Sequence, residues 1–310
     1  MANLWRWLFA ISPDEAAFDR RGFADGPARG HLEAIGRRFV AGYVAALDGH
    51  GAERLPERLH DVPPEHRGFY VEGAAMACAL LDVVRLGGGR LARLSAGPGR
   101  PWVYLVHVGA GFALPRLARF TWRRILAQLE PDLVWLAYDG HGFHDGYFAS
   151  TRAVGARRRP RGLRGYALRA YDQGLGRSLW FSGTARAGRI ADLVGGFAPE
   201  RHGDLWSGVG LAAVYAGGAD APTLHALAAA AGAHRGDLMQ GAAFAAEAHL
   251  RAGVVPPAAD AGCRALCGLA AEEAAGIAAA ARPAHGEADE PAYELWRRQV
   301  RRRLLREAAA

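Results

Sequence analysis

The sequence predicts an all-α protein: a repeat-like stack of antiparallel helix pairs, as an αα-solenoid or an irregular helical bundle. Three observations carry that expectation. A glycine-led phrase recurs as Gly73-Ala74-Ala75-Met76-Ala77, Gly109-Ala110-Gly111-Phe112-Ala113, Gly208-Val209-Gly210-Leu211-Ala212 and Gly241-Ala242-Ala243-Phe244-Ala245, with weaker versions starting at Gly42, Gly146, Gly174 and Gly268. The spacing averages about 32 residues, the mark of stacked helix pairs in which no unit buries its apolar face alone. Three of the four strong copies, those at Gly73, Gly208 and Gly241, also share what precedes them: Pro64-Glu65-His66-Arg67-Gly68, Pro199-Glu200-Arg201-His202-Gly203 and His234-Arg235-Gly236. Finally, apolar residues fall at helical spacing almost throughout, while alternating strand patterns are nearly absent.

The elements follow in order. From Gly30 to Leu47, the residues Leu32, Ile35, Phe39, Tyr43 and Leu47 form one buried stripe. Phe69 to Leu86 does the same with Phe69, Met76, Leu80, Val83 and Val84. Helices are expected over Leu117–Leu129, Tyr166–Phe181, Asp204–Tyr215, Thr223–Ala231, Asp237–Leu250 and the alanine-rich Ala270–Ala281. Gly87-Gly88-Gly89, Gly97-Pro98-Gly99, Gly217-Gly218 and Pro256-Pro257 mark breaks. Val103 to Val108 has the β-branched content of a strand, yet the Gly109-Ala110-Gly111 that follows suits a packed helix better. Glycine inside a helix costs about 1 kcal/mol relative to alanine. Close approach of two helix backbones offsets that cost; composition alone is the plainer alternative.

Composition narrows the chemistry. A chain of 310 residues with 51% apolar content can bury a large core. It is basic, +7 at neutral pH, and its 38 basic residues are all arginine. Lysine Schiff bases, a Walker lysine and a lysine general base are thereby excluded. Arginines cluster at Arg157–Arg164, read as a loop, and at Arg297–Arg306, read as a terminal amphipathic helix; both are expected to be solvated faces. Neither carries a nucleic-acid motif, so no nucleic-acid partner is expected. Cys78, Cys263 and Cys267 suit a reducing compartment rather than a disulfide framework. No apolar run reaches the roughly 20 residues needed to span a bilayer. A soluble, cytoplasmic protein follows, with peripheral membrane contact left open. Residues 1–260 are expected to form the repeat domain, and 261–310 C-terminal Ala/Arg-rich helices.

Three constellations are candidates for chemistry. The residue before the repeated glycine is Glu72, Asp145, Gln173, Ser207 or Gln240 in five copies. Stacked repeats put equivalent positions in register, so these side chains either line an inner groove or stay solvated in first helical turns, where acids favour the helix dipole. A groove edged by Phe69, Tyr70, Tyr147 and Trp206 would suit an elongated apolar ligand. Second, Asp139-Gly140-His141-Gly142-Phe143-His144-Asp145 is either a capped turn or a place for His144 to move a proton; no metal is assigned there. Third, around Asp172-Gln173-Gly174-Leu175-Gly176-Arg177, the planar fork of Arg177 suits a carboxylate or a carrier-protein phosphate.

The phrases Phe18–Phe23, Tyr70–Leu81, Asp139–Phe148, Tyr171–Phe181, Asp204–Gly218 and Gln240–Ala245 resemble those of domain-of-unknown-function family 1702 over about Leu8 to Leu250. That family is similar to the accessory protein found beside enediyne polyketide synthases. The resemblance implies an accessory role in making an enediyne-type polyketide, binding and helping to process a hydrophobic linear polyene. A synthase or a membrane electron-transfer protein would be its partner. Matching the phrases residue by residue points to Arg21, Glu72, His144, Asp172, Gln173, Arg177, Trp206 and Gln240. The expected site thus has Glu72 and His144 as catalytic groups, with Asp172, Gln173, Arg177, Trp206, Ser207 and Gln240 in contact with substrate. No cofactor is named by the sequence. A non-catalytic helical scaffold that docks a synthase or membrane partner is the alternative.

Overall fold

The structure, a computed structural model, describes residues 9–47, 52–84, 88–286 and 290–309. Among these the chain forms sixteen α-helices and no β-strand. In order they are α1 (Phe18–Arg21), α2 (Arg29–Ala46), α3 (Leu55–Leu59), α4 (Arg67–Val84), α5 (Arg90–Ala96), α6 (Val103–Ala113), α7 (Arg119–Leu126), α8 (Trp135–Phe148), α9 (Tyr166–Ser182), α10 (Ala187–Gly195), α11 (His202–Tyr215), α12 (Ala221–Ala231), α13 (Arg235–Arg251), α14 (Pro257–Cys267), α15 (Ala271–Ala280) and α16 (Ala292–Glu307). The all-α expectation holds, and Val103 opens a helix, not a strand. Gly87 and most of the first ten residues lie outside the described residues.

The chain divides into two compact units, residues 1–21 with 33–141 and residues 22–32 with 142–310. In the first unit α2, α4, α6 and the opening turns of α8 pack on one another through glycine. A Cβ on Gly42 of α2 would strike the backbone carbonyl of Tyr70 on α4, and a Cβ on Gly73 would strike that of Phe39. Gly111 of α6 and Gly140 of α8 are related in the same reciprocal way, through the carbonyls of Ala137 and Val108. Between α4 and α6, Gly109 lies on the carbonyl of Glu72, with Ala75 beside it.

In the second unit α9, α11, α13 and α15 form one row, each packed on the next, and α10, α12 and α14 form another. Gly176 and Gly208 join α9 to α11 through the carbonyls of Leu205 and Gln173. Gly210 and Gly241 join α11 to α13 through those of Leu238 and Ser207. In each reciprocal pair the carbonyl met lies three residues before the partner glycine. The glycine hydrogen standing where a Cβ would be points at that oxygen, a weak C–H···O contact that side chains forbid. The last helix, α16, packs on α13 and α15.

The repeating element is therefore a pair of small residues two apart, one for each neighbouring helix: Gly73 and Ala75, Gly109 and Gly111, Gly208 and Gly210. Two weaker copies need correction. The one assigned to Gly146 begins at Gly140 instead, since the space a Cβ would take at Gly146 holds the Ser178 side chain, not a carbonyl. Gly268 belongs to no copy; with φ of 75° it closes α14 in the left-handed conformation. The phrase upstream of the strong copies forms the 3-10 turns Pro64–His66, Pro199–Arg201 and Gly232–His234, which lead directly into α4, α11 and α13. In the first two, proline pre-sets the φ that opens the turn.

Candidate functional site

The backbone contacts of the second unit lock α9, α11 and α13 in register, so the residues ahead of Gly174, Gly208 and Gly241 come together. The Ser207 Oγ donates to Oε1 of Gln240 at 2.8 Å and lies 3.5 Å from Oε1 of Gln173. Gln173 donates through Nε2 to the hydroxyl of Tyr293 at 3.0 Å. All three polar side chains are buried, and protein groups of α16 complete the row. Arg297 of that helix, 0% exposed, donates through Nε to Gln240 at 3.1 Å and through Nη1 to Asp204 at 2.8 Å and Glu294 at 3.1 Å. Arg169 adds a second cation to Asp204 and Glu294. Burial pushes the Asp204 carboxyl up, but the Arg297 and Arg169 guanidiniums outweigh it and hold the group below the usual range. Burial likewise works against the charge on Arg297, and the Tyr166, Asp204 and Glu294 side chains more than offset it.

Arg297 is thus a core residue. The solvated-face reading holds for Arg302, Arg303 and Arg306, which are exposed. The other arginine cluster is an exposed loop, as expected, although Arg159 also reaches Asp172. Asp172 is fully buried and also takes a fork from Arg201, whose Nε reaches Oδ2 at 3.0 Å and whose Nη2 reaches Oδ1. Arg201 was missing from the sequence candidates, although it stands inside the Pro199–Gly203 phrase.

The segment from Asp139 to Asp145 is the interior of α8, not a turn. Its glycines are small because neighbouring backbones press on them. Asp145 accepts the Tyr171 hydroxyl at 3.1 Å and Nη2 of Arg152 at 3.0 Å, and Nδ1 of His144 lies 3.6 Å away. Burial, and then the Asp145 charge, raise the Tyr171 hydroxyl far above its ordinary value. The guanidinium of Arg177 sits over the Phe143 ring at 5.1 Å. Phe143 in turn meets Phe181 edge-on at 5.3 Å and stacks on Tyr147 at 5.9 Å. Trp206 is buried in α11. Among the described residues no group of three His, Cys, Asp or Glu side chains is placed to hold a metal ion.

In the first unit, Glu72 is buried in α4, 3% exposed. The same unit carries a pocket of about 670 Å³ lined by Ala10, Ile11, Val40, Ala41, Val44 and Ala45, with Arg37 and Arg58 also on its wall. One helix explains it. Besides the buried stripe that includes Phe39 and Tyr43, α2 carries a second set at 37, 40, 41, 44 and 45, again at helical spacing. The alanines at 41 and 45 leave the space.

No helix among the described residues is long and apolar enough to cross a membrane. No curated protein and no solved structure shows significant similarity to the chain. One family model matches residues 1–304, a span that takes in most of α16, and on it the chain belongs to the family described as Protein of unknown function (DUF1702).

Proposed function

We propose that the chain binds a hydrophobic, chain-like biosynthetic intermediate and helps to process it, with the pocket on α2 as the place where the apolar chain lies. The pocket is the observation that carries this reading. Its volume, about 670 Å³, falls in the range of small-molecule sites, and its walls are mostly alanine, valine and isoleucine. Arg37 and Arg58 suit the anionic end of such a molecule, a carboxylate or a carrier-bound phosphate, because the guanidinium fork matches both. The resemblance to enediyne accessory proteins gives the intermediate a class, a linear conjugated polyene. Glu72 and His144, the expected proton-transfer groups, are not among the residues that line this pocket, so the reading rests on binding. Asp172, Gln173, Arg177, Trp206, Ser207 and Gln240 then act mainly by holding their helices in place.

The test is native mass spectrometry and an ultraviolet–visible spectrum of the protein made together with its neighbouring gene products. A retained species with vibronic absorption bands is expected, and Ala41→Trp should release it without lowering the melting temperature. A clean apoprotein mass in both proteins, even after addition of a polyene carboxylic acid, overturns the reading.

One observation favours a second reading, that of a scaffold: the polar row is already engaged by Tyr293 and Arg297 of the same chain. A synthase or membrane redox partner would then be captured by wild type and by Ala41→Trp alike.

A further inference from the structure

We propose that helix α7 docks the protein onto an anionic membrane surface. The helix has two faces. At about 100° per residue, Trp122 and Ile125 turn to the side where they are buried. Arg123 and Arg124 fall on the opposite side and are exposed, while Arg119, also exposed, stands at the edge with its guanidinium 5.1 Å from the centroid of the Trp122 ring. Phe120 lies in the middle of their arc, 86% exposed, whereas the other exposed large apolar chains among the described residues, Leu250 and Leu305, reach 44% and 46%. Arg116, on the turn before the helix, is exposed as well. No acidic residue occurs between Arg116 and Gln128.

Arginines opposite a buried Trp122 and Ile125 are the ordinary pattern of a surface helix; Phe120 among them is the exception. An aromatic ring held in water gains nothing there, and alanine would give the better helix. A protein partner would call for a contiguous apolar centre within an interface of about 1,200 Å² or more. One ring set among arginines offers no such centre. The headgroup region of a bilayer takes an isolated aromatic wedge and surrounds it with phosphates, which the guanidinium fork binds. Each arginine near an anionic leaflet strengthens binding about fivefold. The docking face requires no ligand in the α2 pocket and stands independently of that reading.

Vesicle flotation of the full chain tests it. Wild type is expected to float with vesicles of equal parts phosphatidylcholine and phosphatidylglycerol, not with phosphatidylcholine alone, and to be released by about 0.5 M salt. Phe120→Ala should weaken binding several-fold, and Arg123→Gln with Arg124→Gln about 25-fold. Unchanged thermal melting shows that these exposed substitutions leave the fold intact. Arg302→Gln with Arg303→Gln on α16 should leave binding as it was. The proposal is overturned if wild type ignores the anionic vesicles, if the α7 variants bind as wild type does, or if only the α16 variant loses binding. Capture of an acidic protein through Phe120, with the vesicles ignored, likewise overturns the lipid assignment.

Discussion

Arg297 on the last helix donates through Nε to the Oε1 of Gln240 on α13, at 3.1 Å and with no part of the arginine open to solvent. The contact ties α16 to the polar row of α9, α11 and α13, and the charge is balanced by Asp204 and Glu294. Breaking a buried ion pair costs about 3–5 kcal/mol where the remaining charge has no other partner. Arg169 still pairs with Asp204 and Glu294, so Arg297→Ala should lose stability toward the lower end of that range in urea unfolding. A loss below about 1 kcal/mol, the scale of an ordinary surface change, would show that α16 is dispensable.

The same network sets an acid limit. The folded Asp204 carboxyl is held below its ordinary value of 3.8, so its contribution is fully present above that pH. It is lost as pH falls below 3.8 toward the lowered folded value, because the unfolded chain takes up the proton first. Melting temperature should fall with pH in that window, and less so in Asp204→Asn. An identical slope in the two proteins would assign the acid limit to other carboxyls.

Helix positions and the glycine phase were legible because both are local: a stripe on α4, or the pair Gly208 and Gly210, can be read within one turn. Partnership was not. Arg201 meets Asp172 across 29 residues and Arg297 meets Asp204 across 93. Nothing in the local pattern separates these two from the solvated arginines, since only the acid facing them on another helix does so. The candidate site suffered most from this. Gln173, Ser207 and Gln240 were correctly placed in one register, but what completes that register is a helix whose arginines looked solvent-facing. The α2 pocket is hidden for another reason: one helix carries two stripes, and the small alanines at 41 and 45 make the second the weaker signal.

His249 gives a second pH effect in a separate window. Burial against the Tyr215 ring, stacked at 4.3 Å, lowers its pKa from 6.5 to about 4. Between those values the unfolded chain is protonated and the folded one is not, so stability falls as pH drops below 6.5 and the loss is complete near 4. The whole effect is up to about 3 kcal/mol. His249→Gln should flatten denaturant midpoints measured from neutral pH down to about 4. A wild-type midpoint that stays level across that range would mean the ring is solvated.

The glycines provide the sharpest test of the fold. If they merely followed genomic composition, replacing any of them by alanine would have a similar effect. The structure separates three kinds. Gly176 and Gly208 face backbone carbonyls, which cannot rotate away, so α9 and α11 must move apart to admit a methyl group. Each Ala substitution should cost about 2 kcal/mol, and the double variant less than the two together, because the first already separates the helices. At Gly276, in α15, a Cβ meets nothing within 4 Å, so alanine should stabilise by up to about 1 kcal/mol. At Gly268 a Cβ also meets nothing within 4 Å, but φ of 75° makes alanine cost about 1 kcal/mol. Denaturant midpoints at constant slope measure all four. Gly208→Ala behaving like Gly276→Ala would mean that α9 and α11 do not approach through glycine, and the register that aligns Gln173, Ser207 and Gln240 would fall with it.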